Sequence, residues 1–564
     1  MKVEEVDEAL IESVCDRIRQ DLPADDASLA EQFVRQYYRW VSPEDLEDRT
    51  SADLFGAALA HFKQAKKRQP NEANVRIYNP DQEEDGWTSP HTAVEIVTDD
   101  MPFLIDSVGM ELNRRGFGVS MIIHPVLLVR RDPEGNLAAI LPPHATQDDK
   151  TTHESVIHVE VARHTDEDEL DEMHTHLNQV LDEVRAAVDD WLKMRERAFQ
   201  TAAELDPAKL PVTEAETAEA KAFLAWLADD HFTFLGYRDY VLGKKENGEL
   251  TLDTVPGSGL GILRQKAETE QSRGFNRLPP GVRALALEPY LLTLTKANTR
   301  STIHRAAYLD YVGIKRFDDD GNVIGERRFL GLYTTAAYRQ NPSKVPMLRR
   351  KVEAILQKAD FPPDSHNHKA LIEILETHPR DELLQTPIGE LFEIVMGILH
   401  LGERQRLRLF IRRDTFGRFL SCLVFVPRDR FNTENRRRIE AILRNTFQAE
   451  TLDYSTRVSE SVLVRLHYLV YTEPALARDF NTREIETLLV AATRSWQDDL
   501  EAALSIEYGE ERATHLLRRY GDAFPLAYRA DWVAQEAIQD IEAIEALPVP
   551  DGLSMSVYRP LDTP

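Results

Sequence analysis

Hydrophobic positions recur along the chain with two different periods, and the changes of period outline its organisation. Within the first forty residues the apolar positions repeat at helical spacing, which predicts helices over 5–20 and 26–40. From Thr92 to about Met194 the pattern predicts elements in the order β-α-β-β-α. This order is typical of a ferredoxin-like α/β sandwich.

Two further strand-rich stretches follow. The first combines an aromatic strand over 231–240 with a hairpin that pairs 308–317 and 325–333 around an Asp- and Gly-containing turn. The second begins at Arg406 and has the order β-β-α-β-β. The expected fold class is therefore α+β, with three ferredoxin-like α/β sandwich modules and helical N-terminal, connecting and C-terminal segments.

Polar breaks and shifts of period divide the chain into seven predicted segments. They are a helical N-terminal region (1–86), a first module with a long helix (88–205), a second module (206–362), a helical connector (363–403), a third module (404–475), a helical segment (476–548) and the start of a truncated next domain (549–564). The last segment alternates like a strand but leaves no room for a partner strand. The chain is therefore expected to stop as another domain begins.

Charge and cysteine content narrow the function classes. The chain has 68 Lys and Arg residues and 96 Asp and Glu residues, which gives a net charge of −28. This negative charge argues against nucleic acid as a partner. No stretch approaches the 18 or more apolar residues of a membrane helix, and the acidic N-terminus is unlike a signal peptide. Only Cys15 and Cys422 occur, which excludes a disulfide framework or a cysteine-rich zinc site. We therefore expect a cytoplasmic protein whose partners are small metabolites or proteins.

The motifs of nucleotide and metal binding are missing. No two of the 25 glycines are adjacent, and the nearest approach to a dinucleotide fingerprint, at 257–261, fails because Ile262 stands where glycine is required. His366 and His368 lie two positions apart, on different faces of a predicted helix, so they do not form a metal pair. We therefore assign no catalytic, cofactor-binding or metal-binding residue.

The strand-to-helix junction at Asp99-Asp100-Met101-Pro102 is the candidate for ligand binding. Free backbone N–H groups at a helix start bind carboxylates, so an amino-acid effector is a natural ligand there. The predicted effector-binding residues are Asp99, Asp100, Met101 and Asp106. Simple capping of the helix by Asp100 is the alternative interpretation.

Arginines form the one basic patch of this acidic chain, between residues 404 and 430. Strand alternation places Arg406, Arg408 and Arg412 on one face. Pairing with the acidic helices is favoured over anion binding as their role.

Six stretches, in order along the chain, carry a family resemblance that runs from about residue 30 to the end. They are TDDMPFLIDSV (98–108), LADDHFTFLGYR (227–238), RSTIHR (300–305), YVGIKRF (311–317), GERRFLGLY (325–333) and FIRRDTFGRF (410–419). Together they resemble the N-terminal half of the large bacterial NAD-specific glutamate dehydrogenases. Such long colinear matches are more specific than a short motif.

The resemblance implies three ACT-like modules with helical connectors, in a chain that lacks the catalytic and nucleotide-binding domains and is inactive alone. The complete enzyme of this family oxidises L-glutamate to 2-oxoglutarate and ammonia with NAD, and this chain by itself would bind no cofactor. The implied role is the regulatory and assembly half. Its implied partners are the enzyme's own catalytic C-terminal region, further copies in a homo-oligomer, and an amino-acid effector.

Two points stay open. A free-standing ACT-repeat protein that binds amino acids or other proteins, without enzymatic activity, is the alternative function. In addition, no clear fourth strand follows the long helix of the first module. We therefore expect another segment or subunit to complete that module.

Overall fold

A computed structural model describes residues 8–46, 49–244, 250–264, 283–284, 287–472, 480–547, 552–553 and 555. The chain divides into two compact units: Met1–Arg277 with Leu287–Arg350, and Leu278–Ala286 with Lys351–Pro564. Helices and antiparallel sheets occur in both units, which confirms the α+β class. None of the helices in the described ranges combines the length and the hydropathy that crossing a membrane requires.

The chain enters through three helices: α1 (Glu8–Asp21), α2 (Ala24–Tyr37) and α3 (Ser51–Ala65). The two predicted N-terminal helices correspond to α1 and α2. A reciprocal pair of hydrogen bonds between Thr50 and Asp53 caps the start of α3. Apolar side chains of these helices, such as Phe33 and Phe62, are buried against one face of the first sheet.

The first sheet is antiparallel, in the order β1-β2-β6-β4-β5, and β3 also pairs with β6. Its strands are β1 (Asn74–Tyr78), β2 (Thr92–Asp99), β3 (Val119–Ile123), β4 (Val126–Arg131), β5 (Leu137–Leu141) and β6 (Thr151–Val161). The missing strand of the first module is β1, which pairs with β2 and precedes it in the chain. It lies in the region predicted to be helical. Pro125 separates β3 from β4, because it lacks the N–H that a continuous ladder needs.

The other face of the first sheet packs against α4 (Leu104–Arg114) and α5 (Glu167–Glu204). Asp166 caps α5 by accepting hydrogen bonds from the backbone N–H groups of Asp168 and Glu169. The helix runs well beyond Met194, where the pattern predicts its end. Ala198 and Thr201 continue its buried stripe, which explains the additional turns.

The second sheet belongs to the same unit and has the order β10-β11-β12-β7-β8, with β9 beside β7. Its strands are β7 (Phe232–Lys244), β8 (Leu250–Thr254), β9 (Leu260–Gly261), β10 (Leu292–Arg300), β11 (Tyr308–Phe317) and β12 (Val323–Tyr333). It is flanked in sequence by α6 (Glu214–Trp226) and α7 (Thr335–Arg339). The predicted hairpin is confirmed as β11 and β12, and β10 pairs directly with β11.

The second unit is built around a third antiparallel sheet in the order β13-β14-β16-β15. Its strands are β13 (Arg408–Arg413), β14 (Phe419–Pro427), β15 (Thr451–Arg457) and β16 (Leu463–Tyr471). The helices from the boundary onward are α8 (Leu348–Ala359), α9 (His366–Thr377), α10 (Arg380–Gln385), α11 (Ile388–Leu401), α12 (Thr433–Phe447), α13 (Thr482–Ala492), α14 (Trp496–Tyr508), α15 (Glu510–Tyr520), α16 (Leu526–Asp531) and α17 (Ala537–Glu545). The strand and helix order predicted from Arg406 onward is confirmed. The predicted further domain at 549–564 lies almost entirely outside the described residues.

Candidate functional site

Asp99, the first predicted effector residue, ends β2 inside an ion-pair network. Arg68 Nη2 donates to Asp99 Oδ1 at 2.7 Å, and Arg185 Nη1 donates to Oδ2 at 2.6 Å. The backbone N–H of Asn71 also donates to Oδ2. Burial opposes ionisation, but the two guanidinium groups hold the pKa of Asp99 below its usual value. This carboxylate therefore joins α5 to the segment after α3.

Asp100 does not cap α4. Its Oδ1 accepts a hydrogen bond of 2.7 Å from the Ser155 hydroxyl, and its backbone N–H donates to the carbonyl of His153. Both contacts extend the pairing of β2 with β6. The residue before α4 is Phe103, whose φ of 75° is left-handed, and no side chain caps this helix end. The capping interpretation is therefore wrong, because Asp100 lies too early and is engaged with the sheet.

A loop of the second sheet covers the start of α4. The backbone N–H of His304 donates to Ser107 Oγ at 3.2 Å, and the rings of His304 and Phe103 lie 4.9 Å apart. Ile303 is fully buried in the core beneath α4. Met101 is partly buried against the same core, whereas the carboxylate of Asp106 is exposed. The structure thus places the four predicted residues at one junction, where Asp100 and Asp106 are exposed and Asp99 and Met101 are partly buried.

The opposite face of the first sheet carries a buried cluster of imidazole and carboxylate groups. His61 comes from α3, Glu95 from β2 and His158 from β6, where it lies directly opposite Glu95 in the strand register. All three side chains are at most 1% exposed. One nitrogen or oxygen atom of each lies within 4.8 Å of the others. We refer to these three residues as the His-Glu cluster.

His158 lies between two carboxylates. Its Nδ1 is 3.7 Å from Glu95 Oε1, and its Nε2 is 3.6 Å from Glu160 Oε1. Burial alone would lower the pKa of His158, but Glu160 and Glu95 raise it to about 9. Burial would raise the pKa of Glu160, yet His158 and Arg49 lower it to about 2. His158 and Arg49 therefore supply the positive charges that face these carboxylates.

His61 has the opposite character. Burial lowers its pKa to about 4, so the ring is neutral near pH 7. Its Nδ1 lies 3.1 Å from the hydroxyl of Tyr37, and Glu95 Oε1 accepts a hydrogen bond of 2.9 Å from Tyr78. Two imidazoles and one carboxylate are ligands that zinc accepts in proteins. The cluster therefore has the chemistry of a metal site.

No sequence spacing predicts the His-Glu cluster, because its members come from three separate elements. The available signal is an ionisable residue at the inward position of a strand that is otherwise apolar, as for Glu95 and His158. Such residues are rarely buried without a partner. This signal marks each residue but does not join them to His61.

Several arginines of the basic patch in the second unit form ion pairs, namely Arg408, Arg412, Arg418 and Arg430. Arg412 is buried and makes two hydrogen bonds to Glu382, at 2.7 and 2.8 Å. Arg408 pairs with Glu486 on α13. Arg408 and Arg412 therefore pair with acidic residues on helices of the same unit, whereas pairing with another domain or subunit stays a prediction.

Four family models of glutamate dehydrogenase match successive segments of the chain. They are the ACT1 domain at residues 33–177, helical motif 1 at 345–404, the ACT2 domain at 408–497 and helical motif 2 at 503–547. The ACT1 match contains both the junction at Asp99 and the His-Glu cluster. The ACT2 match begins at the first strand of the third sheet.

Three NAD-specific glutamate dehydrogenases show similarity over most of the chain. The protein of Halomonas elongata is 42% identical over 551 residues, which are 98% of this chain and 34% of that protein. The protein of Pseudomonas aeruginosa is 36% identical over 94% of this chain and 32% of its own length, and that of Mycobacterium tuberculosis is 29% identical over 86% and 29%. The chain spans about a third of the length of the curated relatives it matches. The chain is therefore similar, over most of its length, to a segment of NAD-specific glutamate dehydrogenases, and it carries ACT-domain and helical-motif matches of that family.

One expectation drawn from the resemblance is wrong. It described the chain as an N-terminal portion with three ACT-like modules and without the catalytic domain. Two ACT models match, and the second sheet lies between the matches to ACT1 and helical motif 1. Its strands β10, β11 and β12 follow one another as simple antiparallel neighbours, without the helical crossovers of a ferredoxin-like module. The family models match only ACT domains and helical motifs, and these matches do not show that a catalytic domain is absent.

Proposed function

We propose that this chain is the regulatory portion of an enzyme that oxidises L-glutamate to 2-oxoglutarate and ammonia, with NAD as the hydride acceptor. The observation that carries this proposal is the ordered series of ACT1, helical motif 1, ACT2 and helical motif 2 matches. The similarity to NAD-specific glutamate dehydrogenases over 98% of the chain supports it. We place the enzyme in the cytoplasm, where its substrate and cofactor are found.

The regulatory role consists of effector binding and subunit assembly. An amino-acid carboxylate would meet the uncapped N–H groups at the start of α4, close to Asp99, Asp100 and Met101. Asp106, the exposed acid of the first turn, would face the ammonium group of the same ligand. The His304 loop lies on this helix end, so an effector there would also reach the second sheet. Homo-oligomer formation is the other part of the proposal.

The enzymatic part is tested on the complete polypeptide that the gene encodes. Glutamate-dependent NADH formation, followed by its absorbance, is the expected result. A gene product without any such activity, which nevertheless binds amino acids or protein partners, would support the alternative of a free-standing ACT-repeat protein. The two outcomes belong to different classes of function and are separated by one assay.

The effector part is tested by calorimetric titration of the purified chain with the individual L-amino acids. We expect one of them to release heat, and Asp106→Asn to weaken its binding by about tenfold or more because the ligand loses a charged partner. Asp182→Asn, an exposed acid on α5, is the matched control and should leave binding unchanged. If no amino acid gives heat, or both variants behave alike, the junction is not an effector site.

A further inference from the structure

We propose that the His-Glu cluster is a binding site for one zinc-class divalent cation in the interior of the ACT1 region. The ligand atoms are His61 Nε2, His158 Nδ1 and one carboxylate oxygen of Glu95. The site lies on the face of the first sheet opposite the one that packs against α4 and α5. It does not depend on the proposed effector site or on the enzymatic activity.

The first argument is the lack of hydrogen-bond partners. His61 Nε2, Glu95 Oε2 and His158 Nδ1 are all buried, and none makes a hydrogen bond among the described residues, although His158 Nδ1 lies 3.7 Å from Glu95 Oε1. Buried polar atoms in proteins are nearly always hydrogen-bonded, so three such atoms in one cluster of potential metal ligands indicate a missing partner. Ligands of a tetrahedral zinc ion lie about 3.4 Å apart, so binding draws atoms now within 4.8 Å together by roughly one ångström.

The second argument is the arrangement around the ligands. The other polar atom of His61, Nδ1, is held by the Tyr37 hydroxyl, and the other oxygen of Glu95 is held by Tyr78. Metal-binding side chains characteristically use their second polar atom for such an outer contact, which fixes the tautomer and the orientation. An ordinary core histidine needs its partners at both nitrogens, but His61 has one at Nδ1 alone.

The outer contact of His158 is an ion-pair contact with Glu160 and not a hydrogen bond. With Nδ1 directed at the cation, Nε2 faces Glu160 Oε1 at 3.6 Å, which forms a carboxylate–histidine–metal series. Arg49 Nη2 in turn holds the other oxygen of Glu160 at 2.6 Å. A divalent cation would balance the buried carboxylate of Glu95 directly, while Arg49 balances Glu160.

The donor set favours zinc over the hard cations. Calcium takes six to eight oxygen ligands and magnesium keeps an octahedral shell with several waters, whereas this cluster offers two imidazoles and one carboxylate. The indole of Trp87, which is 1% exposed, lies beside His158 with the rings 6.1 Å apart. A closed, apolar wall of this kind is suited to a structural ion.

The experiment uses the full chain, stripped with a chelator and reloaded separately with Zn²⁺ and Co²⁺. After gel filtration we expect one zinc per chain by mass spectrometry, and cobalt absorption bands of a tetrahedral N/O site. His61→Gln and His158→Gln should each weaken binding by tenfold or more. Tyr37→Phe, which keeps the ring and removes only the outer hydroxyl, should weaken it by about tenfold and guards against loss of folding as the cause.

Two controls separate this site from adventitious histidine binding. The first control, His467→Gln, alters a buried imidazole 3.8 Å from Glu382, a carboxylate whose charge Arg412 already balances. The second control, His366→Gln with His368→Gln, alters the two histidines at the start of α9. Both should leave one zinc per chain. Zinc at background level in the native chain, equal zinc in the His61 and His158 variants, or loss of zinc in the His366/His368 variant would each overturn the proposal.

Discussion

Arg412→Met should destabilise the second unit by about 3–5 kcal/mol, because it leaves a buried carboxylate without its counter-ion. The Arg412 and Glu382 side chains are each 2% exposed and share two short hydrogen bonds. Burial would raise the pKa of Glu382, but Arg412 and His467 lower it to about 2 from an ordinary 4.5. That difference corresponds to about 3 kcal/mol of favourable interaction. The ammonium of Lys351, which also interacts with Glu382, keeps the expected loss at the lower end of the range.

Urea unfolding followed by tryptophan fluorescence, to which Trp496 and Trp532 contribute from the second unit, measures this loss. Because the folded pKa of Glu382 lies below its unfolded value, its contribution is present above about pH 4.5 and is lost as the pH falls towards 2. The double variant Arg412→Met with Glu382→Gln removes both charges and should recover most of the stability. A single variant within about 1 kcal/mol of the native chain, or a double variant as unstable as the single one, would refute the reasoning.

Three other substitutions have expected effects on unfolding free energy, measured in the same way. Gly56→Ala should destabilise the chain by about 1–3 kcal/mol, because the new Cβ would lie 2.3 Å from Cβ of Trp87. Gly109→Ala, at a helical position with open space, should stabilise it by about 0.5–1 kcal/mol. Equal effects of the two substitutions would contradict the packing argument. Burial lowers the pKa of His378 to about 3, so its contribution to the unfolding free energy is present above pH 6.5 and is lost as the pH falls. The native chain should therefore lose stability between pH 6.5 and 5, and His378→Leu should remove about 2 kcal/mol of that loss. An unchanged dependence of stability on pH in this variant would contradict the prediction. Asp190→Ala should cost about 1–3 kcal/mol because a backbone N–H of β9 loses its acceptor, and Asp190→Asn should cost less; the reverse order would show that the hydrogen bond is not responsible.

The elements that could be predicted from the sequence are those whose periodicity is long and uninterrupted. The helices α1 and α2 and the hairpin of β11 and β12 belong to this group. The strand β1 has five residues and precedes a polar turn-rich stretch, so its period is too short to be recognised without its partner β2. The end of α5 was predicted too early because its later buried residues, such as Ala198, are small.

The candidate sites could be predicted from the sequence less completely than the fold. Adjacency in sequence indicated a junction at Asp99, but the ion partners of that carboxylate, Arg68 and Arg185, come from distant segments. Such distant partners decide whether a charged side chain forms an ion pair within the fold or is available to bind a ligand. The same holds for the His-Glu cluster, which no single segment reveals.

The alternation of β2 has a further consequence for the first sheet. Ile96 lies opposite Ile157 on the face that packs against α4 and α5, while its neighbour Glu95 lies opposite His158 on the other face. A slip of one residue between β2 and β6 would move Glu95 into the apolar core and Ile96 against the buried charges. Both outcomes are costly, since a buried carboxylate without a counter-ion destabilises by several kcal/mol. The His-Glu cluster therefore also specifies the register of these strands, whether the positive charge is supplied by His158 or by a cation.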